Sequence, residues 1–246
     1  MGRDGEPADA LDGEEKPRVR LVPGTVVALA EGLLPRTPAL AIIERGAASA
    51  IGPILFARAV LPTACEISGP PAARAMRTTV ERLRALASGP VLVDGALDRL
   101  AALAGGTDAV IVAAGAASGA TVEAVAQAAR DVVARLQLPG RDRGPERAQV
   151  VRIPGALDVR EAARLIAEHA GATVVVDDPT RVTVRGALFA RLRDAVDLRC
   201  EHPIAVVACT VSAWSRERSL DPRVLVTAVA RATGLPAFDV LADLAA

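Results

Sequence analysis

Residues 108–121 read Asp-Ala-Val-Ile-Val-Ala-Ala-Gly-Ala-Ala-Ser-Gly-Ala-Thr, and this stretch gives the clearest indication of the fold class. Its first part, Asp108–Ala113, is apolar, does not alternate with polar residues and ends at Gly115. Such a run is typical of a strand buried on both faces of a parallel sheet. Ser118 is the predicted N-cap of a helix whose apolar face is Val122, Val125, Ala129, Val132 and Leu136. A strand followed by a helix is the repeating unit of an α/β fold.

The same alternation continues downstream. Apolar runs predict strands at Val150–Ile153, Thr173–Val176, Val182–Val184, Ile204–Val211 and 236–240. One helix is predicted to begin at Asp158, where a glutamate three residues later gives the spacing of a capping box. Another is predicted to begin at Asp221, which a proline follows, and residues Leu188–Leu198 are predicted to be helical.

Upstream, breakers separate shorter apolar runs. Strands are predicted at Val26–Ala30, Ala39–Ile43 and Ile54–Val60. An amphipathic helix follows, with Met76, Val80, Leu83 and Leu86 on its apolar face. We therefore predict a polar N-terminal segment over 1–18 and a single α/β domain over 19–246. Its sheet is expected to be mostly parallel and flanked by helices.

Composition excludes several classes of protein. The chain has 246 residues, 51% of them hydrophobic, and its mean hydropathy is +0.32, so disorder is not expected. Because 29 basic residues balance 29 acidic ones, no global field favours nucleic acid or an anionic membrane as a partner. No apolar run approaches the ~18 residues that a membrane-spanning helix needs, so no such helix is predicted. No secretory signal is recognised either, so we expect a cytoplasmic protein with three reduced, buried cysteines.

Lys16 is the only lysine, so 28 of the 29 basic residues are arginine. It stands between Glu15 and Pro17, and the sequence therefore has no Gly-x-x-x-x-Gly-Lys-Ser/Thr phosphate loop. The sequence also has no dinucleotide-binding glycine motif after a strand, no Gly-x-Ser-x-Gly elbow and no His-Glu-x-x-His zinc motif.

Ligands of parallel sheets bind at the carboxyl ends of the strands, so residues directly after strands are the candidates for chemistry. The run Val91-Leu-Val-Asp94-Gly95 is predicted to be a strand that presents a carboxylate to Mg²⁺, with Arg99 available to a phosphate. The alternative is an ordinary turn in which Asp94 caps a helix.

Four other strand ends are open to two interpretations. Gly115–Gly119 is either an anion-binding helix start or a turn capped by Ser118. Glu66–Gly69 is either a ligand-facing loop or a helix start. Asp177 and Asp178 either bind a cation or form a turn with the following proline. Trp214 either contacts a partner or caps the core.

Seven segments, taken in order, resemble a known family. They are Gly2–Glu6, Lys16–Val19, Pro23–Thr25, Gly69-Pro70, Leu92–Arg99, Asp108–Val112 with Gly115-Ala116, and Phe238–Val240. The series resembles the B subunit of the lysine 5,6-aminomutase reactivase over nearly the whole chain. Its most specific piece is Asp-Gly-Ala-Leu-Asp-Arg, residues 94–99.

The resemblance implies a P-loop NTPase-like domain that restores an adenosylcobalamin-dependent enzyme of lysine degradation, together with a MutS-like ATPase subunit. It implies that Asp4 and Asp94 are acids on the Mg²⁺ side of a bound ATP. Gly69, Gly95 and Arg99 are then further nucleotide-binding residues.

Two departures from the family limit these expectations. Family members carry a phosphate loop upstream of Gly2–Glu6, whereas this chain begins with Met1 on that segment, so we expect this sequence to lack the first strand and the loop. Either the start is misassigned, or the chain is a fragment, or the protein has lost the loop. Nucleotide hydrolysis by these residues alone is then not expected. The late strand is followed by Val211-Ser-Ala-Trp-Ser, where an Asn-Pro turn would be expected.

Two rival functions stay open. One is a non-catalytic binding or scaffold module on a degenerate nucleotide-binding fold, which the missing lysine favours. The other is an unrelated small-molecule enzyme that uses Asp94, Asp177 and Asp178, although no nucleophile, base and orienting group can be assembled from their spacing.

Overall fold

The computed structural model describes four stretches of the chain: 3–4, 18–70, 73–93 and 109–246. The chain divides into two compact units, Met1–Ala102 and Leu103–Ala246. The single domain expected over 19–246 stays a prediction. The two units differ in the way their strands pair.

Antiparallel pairs build the first unit. Its elements are β1 (Arg3–Asp4), β2 (Val19–Leu21), β3 (Val26–Ala30), β4 (Leu40–Ser49), β5 (Gly52–Ala59), β6 (Thr63–Cys65), β7 (Ile67–Ser68) and α1 (Ala73–Leu86). The pairs β1–β7, β2–β6, β3–β5 and β4–β5 are all antiparallel. The strands predicted here are confirmed, but they do not join a parallel sheet. The connection between β4 and β5 is too short for a parallel crossover, which needs a dozen or more residues.

Helix α1 confirms the predicted amphipathic pattern. Met76, Val80, Leu83 and Leu86 are all half-buried, while the charged residues between them are exposed. The strand predicted over Val91–Asp94 is wrong in its described part, because residues 91–93 form no strand and Leu92 is 88% exposed.

The described residues of the second unit form two sheets of three and four strands and a small antiparallel pair of strands, Trp214–Ser215 with Arg218–Ser219. Its elements are β8 (Ala109–Gly115), α2 (Val122–Leu136), β9 (Val150–Ile153), α3 (Val159–Glu168), β10 (Thr173–Val176), α4 (Gly186–Ala195), β11 (Asp197–Cys200), β12 (Ala205–Ser212), β13 (Trp214–Ser215), β14 (Arg218–Ser219), α5 (Pro222–Thr233), β15 (Ala237–Asp239) and β16 (Leu244–Ala245). The order β11-β10-β9 is entirely parallel. In the order β16-β15-β12-β8, only β15–β16 is antiparallel. The chain is thus a mixed α/β protein with a mostly parallel four-stranded sheet. This confirms the predicted α/β class and the predicted parallel pairing for this sheet.

Two of the three predicted helix caps in this unit are confirmed. The Asp158 carboxylate accepts the backbone N–H of Glu161 at 2.9 Å, and the Asp221 carboxylate accepts that of Val224 at 3.0 Å. The third prediction is wrong, because Thr121 caps α2 in place of Ser118. Its hydroxyl accepts the Ala124 N–H at 3.2 Å.

Strand β10 lies at the centre of the all-parallel sheet and is buried on both faces. Val174 and Val176 are fully buried, and they pack in one cluster with Leu165 of α3 and Leu192 of α4. All four residues of β10 are buried, which is typical of a central strand of a parallel sheet. The strand predicted at Val182–Val184 is wrong, since only Val182 forms an isolated bridge.

Strand β8 is buried on one face only, which corrects the expectation for the opening stretch. Val112 and Cys209 are in register on the same face and are buried. Ile111 points to the other face and is 56% exposed, and Phe238 of β15 is 39% exposed. The apolar run predicted the strand correctly but not its exposure.

Candidate functional site

Polar side chains follow β10 and β11 where these parallel strands end. Asp177 and Asp178 come directly after β10, and Glu201 and His202 come directly after β11. Because the two strands pair in register, the four residues meet at the carboxyl edge of the all-parallel sheet. This edge is where ligands of open parallel sheets bind.

A histidine and an aspartate bridge the two strand ends. The backbone N–H of His202 donates to the Asp177 carbonyl at 2.9 Å. Its ring Nδ1 lies 3.2 Å from Asp177 Oδ1, and Arg181 Nη2 lies 3.8 Å from Asp177 Oδ2. Asp177 thus lies at an exposed position between the imidazole of His202 and the guanidinium of Arg181.

Asp178 serves the turn that the Asp-Pro sequence predicts. Its side chain is fully buried, and Oδ1 accepts the backbone N–H of Thr180 at 2.8 Å and the Thr180 hydroxyl. Within the described residues, Oδ2 has no hydrogen-bond partner, and Arg181 Nε lies 3.8 Å from it. The turn interpretation of Asp178 is therefore confirmed.

A cleft of about 440 Å³ opens beside Glu201. Its lining consists of Arg141, Asp142, Glu146, Glu201 and Pro203. We call this the strand-end cleft.

Two arginines converge on one carboxylate in the strand-end cleft. Arg141 Nη1 donates to Glu201 Oε1 at 3.3 Å, and Arg152 Nη1 donates to the same oxygen at 2.5 Å. Arg141 Nε also donates to Glu146. The hydrogen bond from Arg141 holds the pKa of the Glu146 carboxyl below its ordinary value. The cleft therefore presents fixed guanidinium and carboxylate groups side by side.

This lining suits a ligand that carries both charges. A guanidinium binds phosphate or carboxylate oxygens, and carboxylates bind a divalent cation. Of the lining carboxylates, Glu146 and Glu201 are paired with arginine. A phosphate that arrives with its own Mg²⁺ would match both kinds of group.

Cys200 lies at the end of β11 but is not suited to nucleophilic chemistry. Its thiol is fully buried and donates to the carbonyls of Leu138 and Pro139, each at 3.6 Å. Burial, with Asp178 nearby, raises the pKa of this thiol to about 12. A thiol with so high a pKa stays protonated and unreactive near neutral pH.

The structure places two of the five residues that the resemblance implied for nucleotide binding. The backbone of Asp4 is in register with Ile67, which lies two residues before Gly69. A Cβ on Gly69 would lie 2.7 Å from Met76 Cε, so this glycine permits close packing against α1. Asp94, Gly95 and Arg99 lie outside the described residues. The structure therefore brings Asp4 and Gly69 into one neighbourhood.

Two more of the predicted candidates, the loop after β8 and Trp214, lie among the described residues. Gly115–Gly119 leads into α2 through a short 3₁₀ turn, Ala116–Ser118. Trp214 begins the small β13–β14 hairpin and is 63% exposed, so it does not cap the core.

Sequence reasoning missed the residues that line the strand-end cleft. The sequence of residues 138–147 is typical of a surface loop, and Glu201 follows a segment that was predicted to be helical up to Leu198. The sequence did indicate one feature of this sheet edge, namely the Asp177-Asp178 pair after a predicted strand.

Comparisons with known proteins add no relative. No family model, no curated protein and no solved structure matches this chain. Within the described residues, no group of three or more His, Cys, Asp or Glu side chains is placed to hold a metal ion. No helix in the described ranges is both long and apolar enough to cross a membrane.

Proposed function

We propose that this chain is an accessory, reactivase-like subunit for an adenosylcobalamin-dependent lysine 5,6-aminomutase, acting with a MutS-like ATPase. The observation that carries the proposal is the ordered series of segments from Gly2–Glu6 to Phe238–Val240. The finer fold proposed with it is a P-loop NTPase-like sheet.

The proposal assigns nucleotide hydrolysis to the partner. Because Lys16 stands between Glu15 and Pro17, this sequence lacks the lysine that a phosphate loop places on a nucleotide. Asp4 and Asp94 stay proposed residues on the Mg²⁺ side of ATP, with Gly69, Gly95 and Arg99 beside them. No step of hydrolysis is assigned to any of these residues.

Recovery of a damaged enzyme tests this role. Suicide-inactivated aminomutase is mixed with Mg·ATP and adenosylcobalamin, and then with this chain, the MutS-like ATPase, or both. We expect activity to return only with both proteins, and the three proteins to co-purify. Recovery that is equally complete without this chain would contradict the proposal.

A second candidate is a non-catalytic module that binds a magnesium-bound phosphate ligand, and the strand-end cleft favours it. Arg141 supplies a guanidinium group there, next to the carboxylates of Glu146 and Glu201, and Arg152 donates to Glu201. Calorimetric titration with Mg·ATP tests this candidate. Saturable binding without release of inorganic phosphate is expected, and the absence of any binding heat would contradict it.

A further inference from the structure

The loop between α2 and β9 surrounds one buried guanidinium. Arg199 lies in β11 and is 7% exposed. Its Nε donates to Asp197 Oδ2 at 2.9 Å, and its Nη2 lies 2.8 Å from the same oxygen. Asp197 thus neutralises the charge of Arg199, which a buried guanidinium requires.

The other donors of Arg199 all reach backbone carbonyls of this loop. Nη1 donates to the carbonyls of Arg141 at 3.0 Å and Gly144 at 2.8 Å. Nη2 donates to the carbonyl of Pro145 at 3.0 Å. Five N–H groups in a planar fork make this set of bonds available to arginine, whereas lysine has one nitrogen to offer.

A second anchor holds the far end of the loop. The backbone N–H of Arg147 donates to Thr173 Oγ1 at 2.8 Å. The same hydroxyl donates to Asp197 Oδ2 at 3.3 Å. Asp197 therefore connects both anchors, and residues 141–147 are fixed to β10 and β11 along their length.

This loop carries one side of the strand-end cleft. Arg141 and Glu146 line the cleft and belong to the segment held by Arg199, whereas Glu201 follows β11 directly. The position of the loop therefore sets the 3.3 Å separation between Arg141 Nη1 and Glu201 Oε1.

We infer that Arg199 is the positioning residue of the strand-end cleft, which it holds in its binding shape before any ligand arrives. Arg199 itself contacts no ligand, because its donors are used by Asp197 and the three carbonyls. The inference rests on the second proposed function for the role of the cleft, but the loop geometry it describes is tested without a ligand.

Hydrogen–deuterium exchange of the full chain, with and without Mg·ATP, tests this inference in the wild type and three variants. Arg199→Lys keeps the charge but loses the fork, so we expect exchange of residues 141–147 to rise at least ~10-fold. Mg·ATP affinity should fall by a comparable factor. Arg141→Ala should weaken Mg·ATP binding while the loop stays protected, and Arg191→Lys on the exposed face of α4 is the matched control.

The outcomes separate the two ideas. Unchanged loop exchange in Arg199→Lys would overturn the inference, whatever the affinity for Mg·ATP. Loop exchange at unprotected rates in the wild type would overturn it as well, even if the variant does not fold. A protected wild-type loop that loosens in Arg199→Lys, without Mg·ATP binding by any form, would support the positioning role and contradict only the proposed ligand.

Discussion

The two units use their charged residues differently. Among the described residues of the antiparallel unit, the ion pairs Glu44–Arg82 and Arg45–Glu31 share no partner with each other. In the parallel unit, Arg141 and Arg152 come from separate segments and both donate to Glu201, which lines the strand-end cleft. Parallel pairing sends every strand end to the same edge, so strand topology gathers a site that composition alone does not reveal.

Removing one buried leucine from each unit gives the largest expected effect. Leu165 packs in the core of the parallel unit and Leu29 in that of the antiparallel unit, both fully buried. We expect Leu165→Ala or Leu29→Ala to lower the free energy of unfolding by about 2–5 kcal/mol, because each leaves a cavity. Urea denaturation measures the loss, and hydrogen exchange locates it.

Each substitution should raise exchange mainly in its own unit, because the two leucines belong to different buried clusters. An equal rise in both units after either substitution would contradict the division into two cores. Leu92→Ala is the control, since Leu92 is 88% exposed.

The adjacent residues Asp177 and Asp178 allow a buried and an exposed carboxylate to be compared at the same strand end. Asp178 is fully buried and accepts the Thr180 N–H, whereas the Asp177 side chain is 51% exposed. We expect Asp178→Ala to lower the free energy of unfolding by about 1–3 kcal/mol, because it leaves the Thr180 N–H without its acceptor. Asp177→Ala is the matched control and should change thermal stability much less. Equal losses from both substitutions would contradict this division.

Local patterns predicted the parts of the fold that local physics determines. Asp158 and Asp221 cap their helices as predicted, because a cap needs only residues within one helical turn. β10 was predicted because three valines in succession follow Thr173, and the structure buries all four residues. Pairing direction in the first unit was predicted wrongly, because its strands pair antiparallel and this direction depends on the connections between them.

The strand-end cleft escaped prediction for the same reason. Arg141 and Glu201 are 60 residues apart in the sequence, and no local pattern joins them. The helix predicted over Leu188–Leu198 covers the first two residues of β11, so this strand was not predicted. The helix ends at Ala195, and Asp197–Cys200 pairs with β10.

Alkaline pH tests the burial of Cys200 at the end of β11. Because burial raises the pKa of this thiol to about 12, the folded state favours the protonated form. The corresponding stabilisation is complete below the ordinary thiol pKa of about 9 and is lost as pH rises toward 12. We expect wild type to lose stability over this range more steeply than Cys200→Ala.

Alkylation gives an independent measurement on the same thiol. At pH 8, a pKa of about 12 leaves roughly one thiol in ten thousand ionised. Peptide mapping after treatment with iodoacetamide should find Cys200 unmodified in the native protein and modified in urea. Rapid native labelling of Cys200 would contradict its burial.

The smallest expected effect belongs to an exposed ion pair of the antiparallel unit. Arg82 donates to both carboxylate oxygens of Glu44, at 2.5 and 2.6 Å, and this hydrogen bonding lowers the pKa of Glu44. The stabilisation is therefore present above the ordinary carboxyl pKa and disappears as pH falls through the lowered one. Wild type should exceed Glu44→Gln slightly in melting temperature at pH 7 and match it at low pH.

Glu81→Gln, at an exposed position on the same helix as Arg82, is the control for this comparison. High salt should also shrink the difference between wild type and Glu44→Gln, because exposed ion pairs are screened. A difference in melting temperature that persists at low pH and in high salt would mean that packing, and not the ion pair, causes it.

Calorimetric titration of the full chain with Mg·ATP tests most directly the claim that the parallel strand ends form the ligand site. Wild type and Arg191→Ala should bind saturably, and Arg141→Ala should lose at least ~10-fold in affinity, as expected for a charge-assisted contact. Equal affinities for Arg141→Ala and wild type, or no binding by wild type, would contradict the claim.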